Sequence, residues 1–242
     1  MSHPVVLITG ASRGLGAALA REWAGRGAAL LLTARGAEAL AAIAKELSRS
    51  TDVLAEPIDV TDDRRMSAFI DTAISTLGRI DILVNNASTL GGSPMPKLED
   101  LGTSAFFELM DVNVRAPLTI SQRVLQHMRA HGSGTIVNVT SDAAISAYPG
   151  WGGYGASKAA LEHLSRILAA ELDGTGVRVM VLDPGNMDTQ MHRDAEPGED
   201  LSSLPKPENV APAFVDVIES TLRDTGGENF KRCEVQAVGA GV

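Results

Sequence analysis

Two residues of the stretch YGASK, Tyr154 and Lys158, have types and a spacing suited to proton transfer. Residues four apart at the start of a helix lie on one helix face, so the phenol and the ammonium group would be neighbours. A nearby ammonium group favours the phenolate and so lowers the phenol pKa from its usual value of about 10. The pair predicts a general acid or base, although the same spacing also arises by chance in solvent-exposed pairs.

A second chemical signal is the glycine-rich stretch TGASRGLG at residues 9–16, which follows the apolar run VVLI. Its glycines, Gly10, Gly14 and Gly16, have the spacing G-x-x-x-G-x-G instead of the common dinucleotide fingerprint G-x-G-x-x-G. Three glycines between a strand and a helix still allow a tight turn, a close backbone approach and a free helix N-terminus. The stretch predicts a phosphate-binding turn, and the alternative is a turn without a ligand.

The end of the second apolar run, LLLTARGAEAL, bears on the choice of nucleotide. Enzymes that select NAD commonly place an acidic residue about 20 residues past the glycines, where it bonds the ribose 2′-hydroxyl. Here Ala34 and Arg35 occupy that place, and Arg13 lies within the glycine-rich stretch. Two guanidinium groups suit a 2′-phosphate, so these residues predict NADP(H). The alternative is that both arginines are only solvated.

Apolar runs and amphipathic helical stretches follow one another along the chain and position the residues described above. Within a run, apolar and polar residues do not alternate strictly, which is typical of strands buried on both faces of a parallel sheet. The order strand, helix, strand, helix predicts a Rossmann-type, doubly wound α/β fold of about seven strands in three layers, α/β/α. Ligands in such sheets bind beyond the carboxyl ends of the strands, where TGASRGLG, NNAS, VTSD and DPGNMDT fall. The runs are VVLI at 5–8, ALLLT at 29–33, ILVNNA at 82–87, TIVNV at 135–139 and VRVMVL at 177–182. The helical stretches include EALAAIAKEL, MSAFIDTAIST, FFELMDVNVRAPLTISQRVLQHM and ASKAALEHLSRILAAEL.

Length and composition limit the class of protein. A chain of 242 residues with this pattern is expected to form a single domain, 1–242. The formal net charge of −9, without a cluster of Lys and Arg, argues against nucleic acid or a membrane as partner and favours a small molecule. The only cysteine is Cys233, so we expect neither a disulfide nor a metal centre. The chain has no evident signal peptide or membrane span, and we expect it in the cytoplasm.

Two longer segments rich in Pro and Gly, at about 88–103 and 186–207, leave the ligand-binding edge of the sheet. Neither separates stretches that would build independent cores. We expect them to form walls or lids of a substrate cleft. The alternative is that they are solvated surface loops.

Taken together, the motifs resemble the short-chain dehydrogenase/reductase (SDR) superfamily in its compact, single-domain form. The matching features are TGASRGLG, NNAS, Asn113 in MDVNV, Ser141 ahead of YGASK, and PGNMDT. They follow the order and spacing of the family over residues 5 to about 190. The segment after NNAS is also weakly similar to sepiapterin and diketone reductases. The resemblance implies that residues 10–16 are this family's variant of the phosphate-binding turn.

The resemblance also implies catalytic roles. Tyr154 would donate a proton to a carbonyl during reduction and accept one in the reverse direction. Ser141 would orient the carbonyl, and Lys158 would bind the nicotinamide ribose and lower the pKa of the tyrosine. Asn113 would hold a water molecule that links Lys158 to a proton relay.

Further residues are implied to bind the dinucleotide. Asp59 would contact the adenine, and Asn86 would tie two strands together near the cofactor. Pro184, Gly185 and Thr189 would close over the nicotinamide, whose ring carries the hydride. The expected cofactor site comprises Gly10, Ser12, Arg13, Gly14, Leu15, Gly16, Arg35, Asp59, Val60, Asn86, Ala87, Tyr154, Lys158, Pro184, Gly185, Met187 and Thr189.

The chain departs from the family pattern in two places. Ser88 stands where glycine usually follows NNA, so the backbone there is expected to differ slightly under the cofactor. The C-terminal stretch CEVQAVGAGV lacks the glycine-rich ending common in tetrameric members. We therefore expect a homodimer formed through helices around residues 104–130 and 154–173, with a homotetramer as the alternative.

The intact set of Asn113, Ser141, Tyr154 and Lys158 favours an NADP(H)-dependent carbonyl reductase or alcohol dehydrogenase that acts on a small, partly apolar ketone or alcohol. One alternative is a sensor or structural member that binds the dinucleotide without turnover. Another is an enzyme of epimerisation or dehydration, although the chain after residue 190 leaves little room for a larger substrate domain.

Overall fold

The computed structural model describes residues 3–223, 229–235 and 237. Its centre is a seven-stranded parallel sheet with the strand order β3-β2-β1-β4-β5-β6-β7. Helices cover both faces, so the fold is the predicted Rossmann-type α/β/α arrangement. The strands are β1 (Val5–Thr9), β2 (Ala29–Ala34), β3 (Val53–Pro57), β4 (Ile82–Asn85), β5 (Gly134–Val139), β6 (Val177–Asp183) and β7 (Phe230–Glu234).

The helices confirm the predicted helical stretches, apart from an interruption in the stretch at 106–128. Their ends follow local rules: the Asp62 carboxylate caps the third helix by accepting from the Arg65 amide at 3.0 Å, and Gly78 ends that helix with a positive φ of 77°. The α-helices are α1 (Gly14–Gly25), α2 (Ala37–Leu47), α3 (Asp63–Leu77), α4 (Thr103–Met110), α5 (Ala116–His131), α6 (Gly152–Glu171), α7 (Gln190–Ala195) and α8 (Pro207–Arg223).

The core lies on both faces of the sheet, which explains the continuous apolar runs. In β1, Val6 and Ile8 belong to the layer that contains α1 and α8. Val5 and Leu7 point the opposite way, into the layer that contains α3 and α5. Because successive residues of a strand face opposite sides, a strand covered on both sides must be apolar at every position.

The long helical stretch at 106–128 is interrupted, which the sequence does not predict. A π-helical turn, Asp111–Arg115, joins α4 to α5. Pro117 lies in the first turn of α5 and has no N–H, so it cannot bond the carbonyl of Asn113 as a regular α-helix would require. The turn leaves the Asn113 side chain buried.

The two segments at 88–103 and 186–207 contain short helices that the sequence does not predict. The first has a 3₁₀ turn at Leu98–Asp100, and the second contains α7. In the part of the chain that the structure describes, no helix has the length and apolarity needed to cross a bilayer. Of the C-terminal stretch, residues 236 and 238–242 lie outside the described residues.

Candidate active site

The carboxyl ends of the strands open into a cleft of about 720 Å³, which lies within the usual size range of ligand sites. The predicted site residues line this cleft, with two exceptions. Gly16 packs against the Gly10 carbonyl and the Asn86 side chain, and Asn113 is buried next to the cleft. The tertiary structure therefore brings the predicted catalytic and cofactor residues to one place.

Tyr154 and Lys158 lie in the first two turns of α6, both buried and on one helix face. The Lys158 Nζ donates to the Val139 carbonyl at 2.9 Å and lies 5.5 Å from the centre of the Tyr154 ring. Ser141 follows β5, and its hydroxyl accepts from the Ala143 amide at 3.2 Å. A phenol, a hydroxyl and an ammonium group thus surround one end of the cleft.

The pKa of Tyr154 does not show the net lowering expected for a tyrosine beside Lys158. Burial, together with the nearby Asp183 carboxylate, raises the pKa of Tyr154 above its usual value. Burial lowers the pKa of Lys158 to about 8, and Asp183 opposes this shift. Removing charged groups from water penalises both the phenolate and the ammonium, so burial shifts the two pKa values in opposite directions.

Asn113 is held by hydrogen bonds at both ends of its amide. The Oδ1 accepts from the Ser88 hydroxyl at 3.0 Å and from the Thr89 amide at 2.9 Å. The Nδ2 donates to the Thr89 carbonyl at 2.9 Å and to the Ser157 hydroxyl at 3.0 Å. The side chain is therefore fixed against α6 and the loop after β4.

The glycine turn between β1 and α1 fits a phosphate. Gly14 has a positive φ of 54°, and a Cβ on Gly10 would lie 2.9 Å from the Ala87 Cα. Arg13 precedes α1 and its side chain forms no cap, so the first-turn amides of α1 stay available to an anion. Asn86 supports the turn, because its Nδ2 donates to the Thr9 carbonyl at 2.8 Å. The sequence predicts this structural role for Asn86.

The far end of the cleft carries the two predicted arginines. Arg13 and Arg35 both line it, with Asp59 and Val60 beside them. Although burial favours a higher pKa for Asp59, hydrogen bonds from the Thr61 amide and hydroxyl lower the pKa of that carboxyl, and the Arg35 charge adds to the effect. Asp59 is therefore a fixed carboxylate next to Arg35 at this end of the cleft.

The turn after β6 covers the other side of the cleft. Pro184, Gly185 and Met187 line it, and the Thr189 hydroxyl caps α7 by accepting from the His192 amide at 3.1 Å. The Asp183 carboxylate, which the sequence analysis missed, accepts from the Gly185 amide at 2.9 Å. Its position just before the Pro-Gly turn is the sequence signal that it faces the cleft.

A second missed residue, Asp142, directly follows Ser141. Its carboxylate accepts from the Ser141 hydroxyl at 3.0 Å and from the Tyr148 hydroxyl at 2.7 Å. Trp151 lies between the rings of Tyr148 and Tyr154, at 6.2 and 5.8 Å between centroids. The cleft beside Ser141 and Tyr154 is thus aromatic and acidic. Among the described residues, no group of three His, Cys, Asp or Glu side chains is placed to hold a metal ion.

The parallel sheet, the glycine turn at α1 and the Ser141, Tyr154 and Lys158 side chains define the class of dehydrogenases that the sequence resembles. The short chain dehydrogenase family matches residues 4–200, so the chain belongs to the SDR family of oxidoreductases. This family binds nicotinamide dinucleotides.

Individual relatives agree with this assignment. The chain is 35% identical over 231 residues to sulfoacetaldehyde reductase 2 of Chromohalobacter salexigens, covering 88% of this chain and 91% of the relative. Its fold is similar to that of a metagenomic short-chain oxidoreductase in complex with NADP, with a TM-score of 0.80, 29% identity and 98% coverage of both chains. It is also similar to an alcohol dehydrogenase from the archaeon Thermococcus sibiricus complexed with 5-hydroxy-NADP, with a TM-score of 0.82, 29% identity and 97% coverage of both chains.

Proposed function

We propose that the protein is an NADP(H)-dependent carbonyl reductase or alcohol dehydrogenase. The observation that carries this proposal is the convergence of Ser141, Tyr154 and Lys158 at one end of a cleft whose middle is the glycine turn. A proton donor, a carbonyl-orienting hydroxyl and a phosphate-binding turn are the parts that such a reaction requires.

In reduction, the Ser141 hydroxyl orients the substrate carbonyl and the Tyr154 hydroxyl donates its proton to the carbonyl oxygen. When bound, the nicotinamide supplies the hydride for the carbonyl carbon. Lys158 binds the nicotinamide ribose, and its ammonium group stabilises the phenolate that forms on Tyr154. In oxidation, the phenolate of Tyr154 accepts the proton of the alcohol.

The cofactor is NADP(H) and not NAD(H). Arg35 follows β2 where an NAD-selective enzyme commonly has an acidic residue, and Arg13 lies within the glycine turn. Both guanidinium groups are available to a 2′-phosphate. Two of the similar structures are complexes with NADP or 5-hydroxy-NADP, which supports this choice.

The substrate is a small, partly apolar ketone or alcohol without a negative charge. Met187, Met191 and Trp151 supply an apolar wall, and the segments at 88–103 and 186–207 form the sides of the pocket. Asp142 and Asp194 also line the cleft and add negative charge to it. They disfavour an anionic carbonyl compound such as the sulfonate named for the Chromohalobacter relative.

The working unit is a cytoplasmic homodimer with no nucleic-acid or membrane partner. Phe107 is 65% exposed on α4, and Met110, Val114 and Leu118 form a shallow apolar groove beside it. Ile167 is 44% exposed on α6. Burial of such a surface against a second copy stabilises a dimer.

The test is a set of carbonyl compounds assayed by loss of NADPH absorbance, with purified protein and with Tyr154→Phe as the blank. It includes a matched pair, 6,6-dimethylheptan-2-one and 4-oxopentane-1-sulfonate, which have similar size and differ in charge. We expect the neutral ketone to have at least about tenfold higher kcat/KM. Tight NADPH binding without turnover of any carbonyl or alcohol would instead support a dinucleotide-binding protein that is not an enzyme.

A further inference from the structure

Buried hydrogen bonds between side chains join the end of β5 to α6. The Asn138 Nδ2 donates to the Ser165 hydroxyl at 2.8 Å. Directly after the strand, the Thr140 hydroxyl donates to the Glu162 Oε1, also at 2.8 Å. All four residues are buried. These four residues form a line of polar contacts between a strand and a helix, which we call the polar seam.

The polar seam alternates with residues of the proton-transfer site. Thr140 lies between Val139 and Ser141 in the chain. The Val139 carbonyl accepts from the Lys158 Nζ at 2.9 Å, and Ser141 lines the cleft. On α6, Glu162 comes one turn after Lys158 and lies on the same helix face. The contact between Thr140 and Glu162 therefore lies directly behind the site.

The carboxylate of Glu162 has charged partners on two elements. The Arg232 Nε, on β7, donates to both carboxylate oxygens, at 3.2 Å to Oε1 and 3.1 Å to Oε2. The Arg166 guanidinium, one turn further along α6, lies 3.8 Å from Oε2. These partners offset the cost of burying the carboxylate. Because Arg232 bonds both oxygens, removal of the Thr140 hydroxyl would leave no unpaired buried charge.

Hydrogen bonds of this kind fix a register that apolar packing alone leaves less defined. Apolar burial depends on the area removed from water and has no preferred direction. A hydrogen bond, in contrast, weakens steeply as its distance and angle change. A slide of α6 along β5 would leave the buried groups of the polar seam unpaired, which is costly. The polar seam therefore holds α6 at one position along β5.

We propose that Thr140 and Glu162 are positioning residues, because the polar seam fixes α6 on β5 and with it the place of the catalytic side chains. Through the polar seam, Lys158 is held at the Val139 carbonyl and in register with Ser141. The proposal rests on the proposed function only in that Lys158 and Ser141 take part in one reaction.

The titration of Lys158 gives a direct measurement, because this lysine is buried and the other four lysines of the chain are exposed. The full-length protein is labelled with ¹³C at the lysine Cε and titrated without added nucleotide. The resonance of Lys158 is identified by its loss in Lys158→Met. A carbonyl bond favours the charged ammonium group, so a weaker bond lowers the pKa.

Thr140→Val removes the hydroxyl, keeps the shape of the side chain and changes no charge. We expect this variant to lower the pKa of Lys158, which is about 8 in the parent, by about 0.5 to 1 pH unit. Ser165→Ala interrupts the polar seam at its other end. It should shift the pKa of Lys158 in the same direction and serves as the test if Thr140→Val folds poorly.

Two variants are matched controls. Thr140→Ser keeps the hydroxyl and should titrate close to the parent. Thr135→Val is the same substitution within β5, where the Thr135 hydroxyl is buried and has no hydrogen-bond partner among the described residues. It should leave the titration of Lys158 unchanged.

Carbonyl reduction is the second readout. Because misplaced catalytic groups slow the reaction, Thr140→Val should lower kcat by about three- to tenfold, with both controls near the parent. A Lys158 titration in Thr140→Val that matches that of Thr135→Val would overturn the proposal. So would an effect of Thr140→Ser as large as that of Thr140→Val, or an unchanged kcat in Thr140→Val. The titration needs no turnover, so absence of any carbonyl reduction would refute the proposed function and leave the titration to decide this proposal.

Discussion

Substitution of Gly16 tests how closely the glycine turn is packed. A Cβ at this position would lie 2.3 Å from the Gly10 carbonyl oxygen and 2.6 Å from the Asn86 Nδ2. Both distances are far below van der Waals contact, so in Gly16→Ala the backbone of the turn must move. The same Asn86 Nδ2 bonds the carbonyls of Thr9 and Gly10 at 2.8 and 3.3 Å, and the movement disturbs these bonds.

The expected loss of stability follows from these contacts. Overpacking costs about 1 to 3 kcal/mol, and a disturbed buried hydrogen bond adds about 1 kcal/mol. Gly16→Ala should therefore lower the free energy of unfolding by about 2 to 4 kcal/mol. The matched control is Gly25→Ala in the same helix, because a Cβ on Gly25 meets no atom within 4 Å. Alanine there should be neutral or stabilising by up to about 1 kcal/mol.

The assay is urea unfolding of both variants, with the dissociation constant for NADPH measured by fluorescence. We expect only Gly16→Ala to lose stability and to bind NADPH more weakly, because the turn that would hold the phosphates has moved. If the two variants unfold within about 0.5 kcal/mol of each other, the close approach of α1 to the Gly10 carbonyl does not constrain the turn and the reasoning fails.

Other predictions address catalysis, cofactor choice, charge and assembly. Tyr154→Phe should lower kcat by about a hundredfold or more with NADPH binding intact, and near-normal turnover would contradict its role as the general acid. Arg35→Ala should weaken NADPH by about ten- to a hundredfold and leave NADH nearly unchanged in binding assays, whereas an equal effect on both would show that Arg35 does not bind the 2′-phosphate. Since burial lowers the pKa of Lys158 from 10.5 to about 8, the unfolded state binds more protons between these values and the stability of the wild type should rise with pH there. In Lys158→Met this rise of about 3 kcal/mol in the free energy of unfolding should be absent. If the free energies of unfolding of the wild type and the variant change in parallel with pH, the lowered pKa of Lys158 is refuted. Light scattering of the wild type should give a molar mass twice that of the 25.3 kDa chain, and Phe107→Glu should lower it to that of one chain. A wild-type mass of one chain would refute the dimer.

The sequence alone predicted most of the elements and most of the residues that line the cleft. Apolar runs without alternation predicted β1, β2, β4, β5 and β6, because burial on both faces selects such residues locally. The spacing of Tyr154 and Lys158 predicted neighbours on one face of α6 for the same local reason. The loops after the strands could be assigned to one edge of the sheet because parallel strands end at the same side.

Only the tertiary structure decided the electrostatics and the finer geometry of the site. The effect of Asp183 on Tyr154, the bond between Ser88 and Asn113, and the π-helical turn that buries Asn113 depend on contacts between distant parts of the chain. The sign of the Tyr154 pKa shift shows the reason. An adjacent lysine predicts a lower pKa, but burial by residues from several helices and loops raises it, and the extent of burial is a property of the whole packed structure.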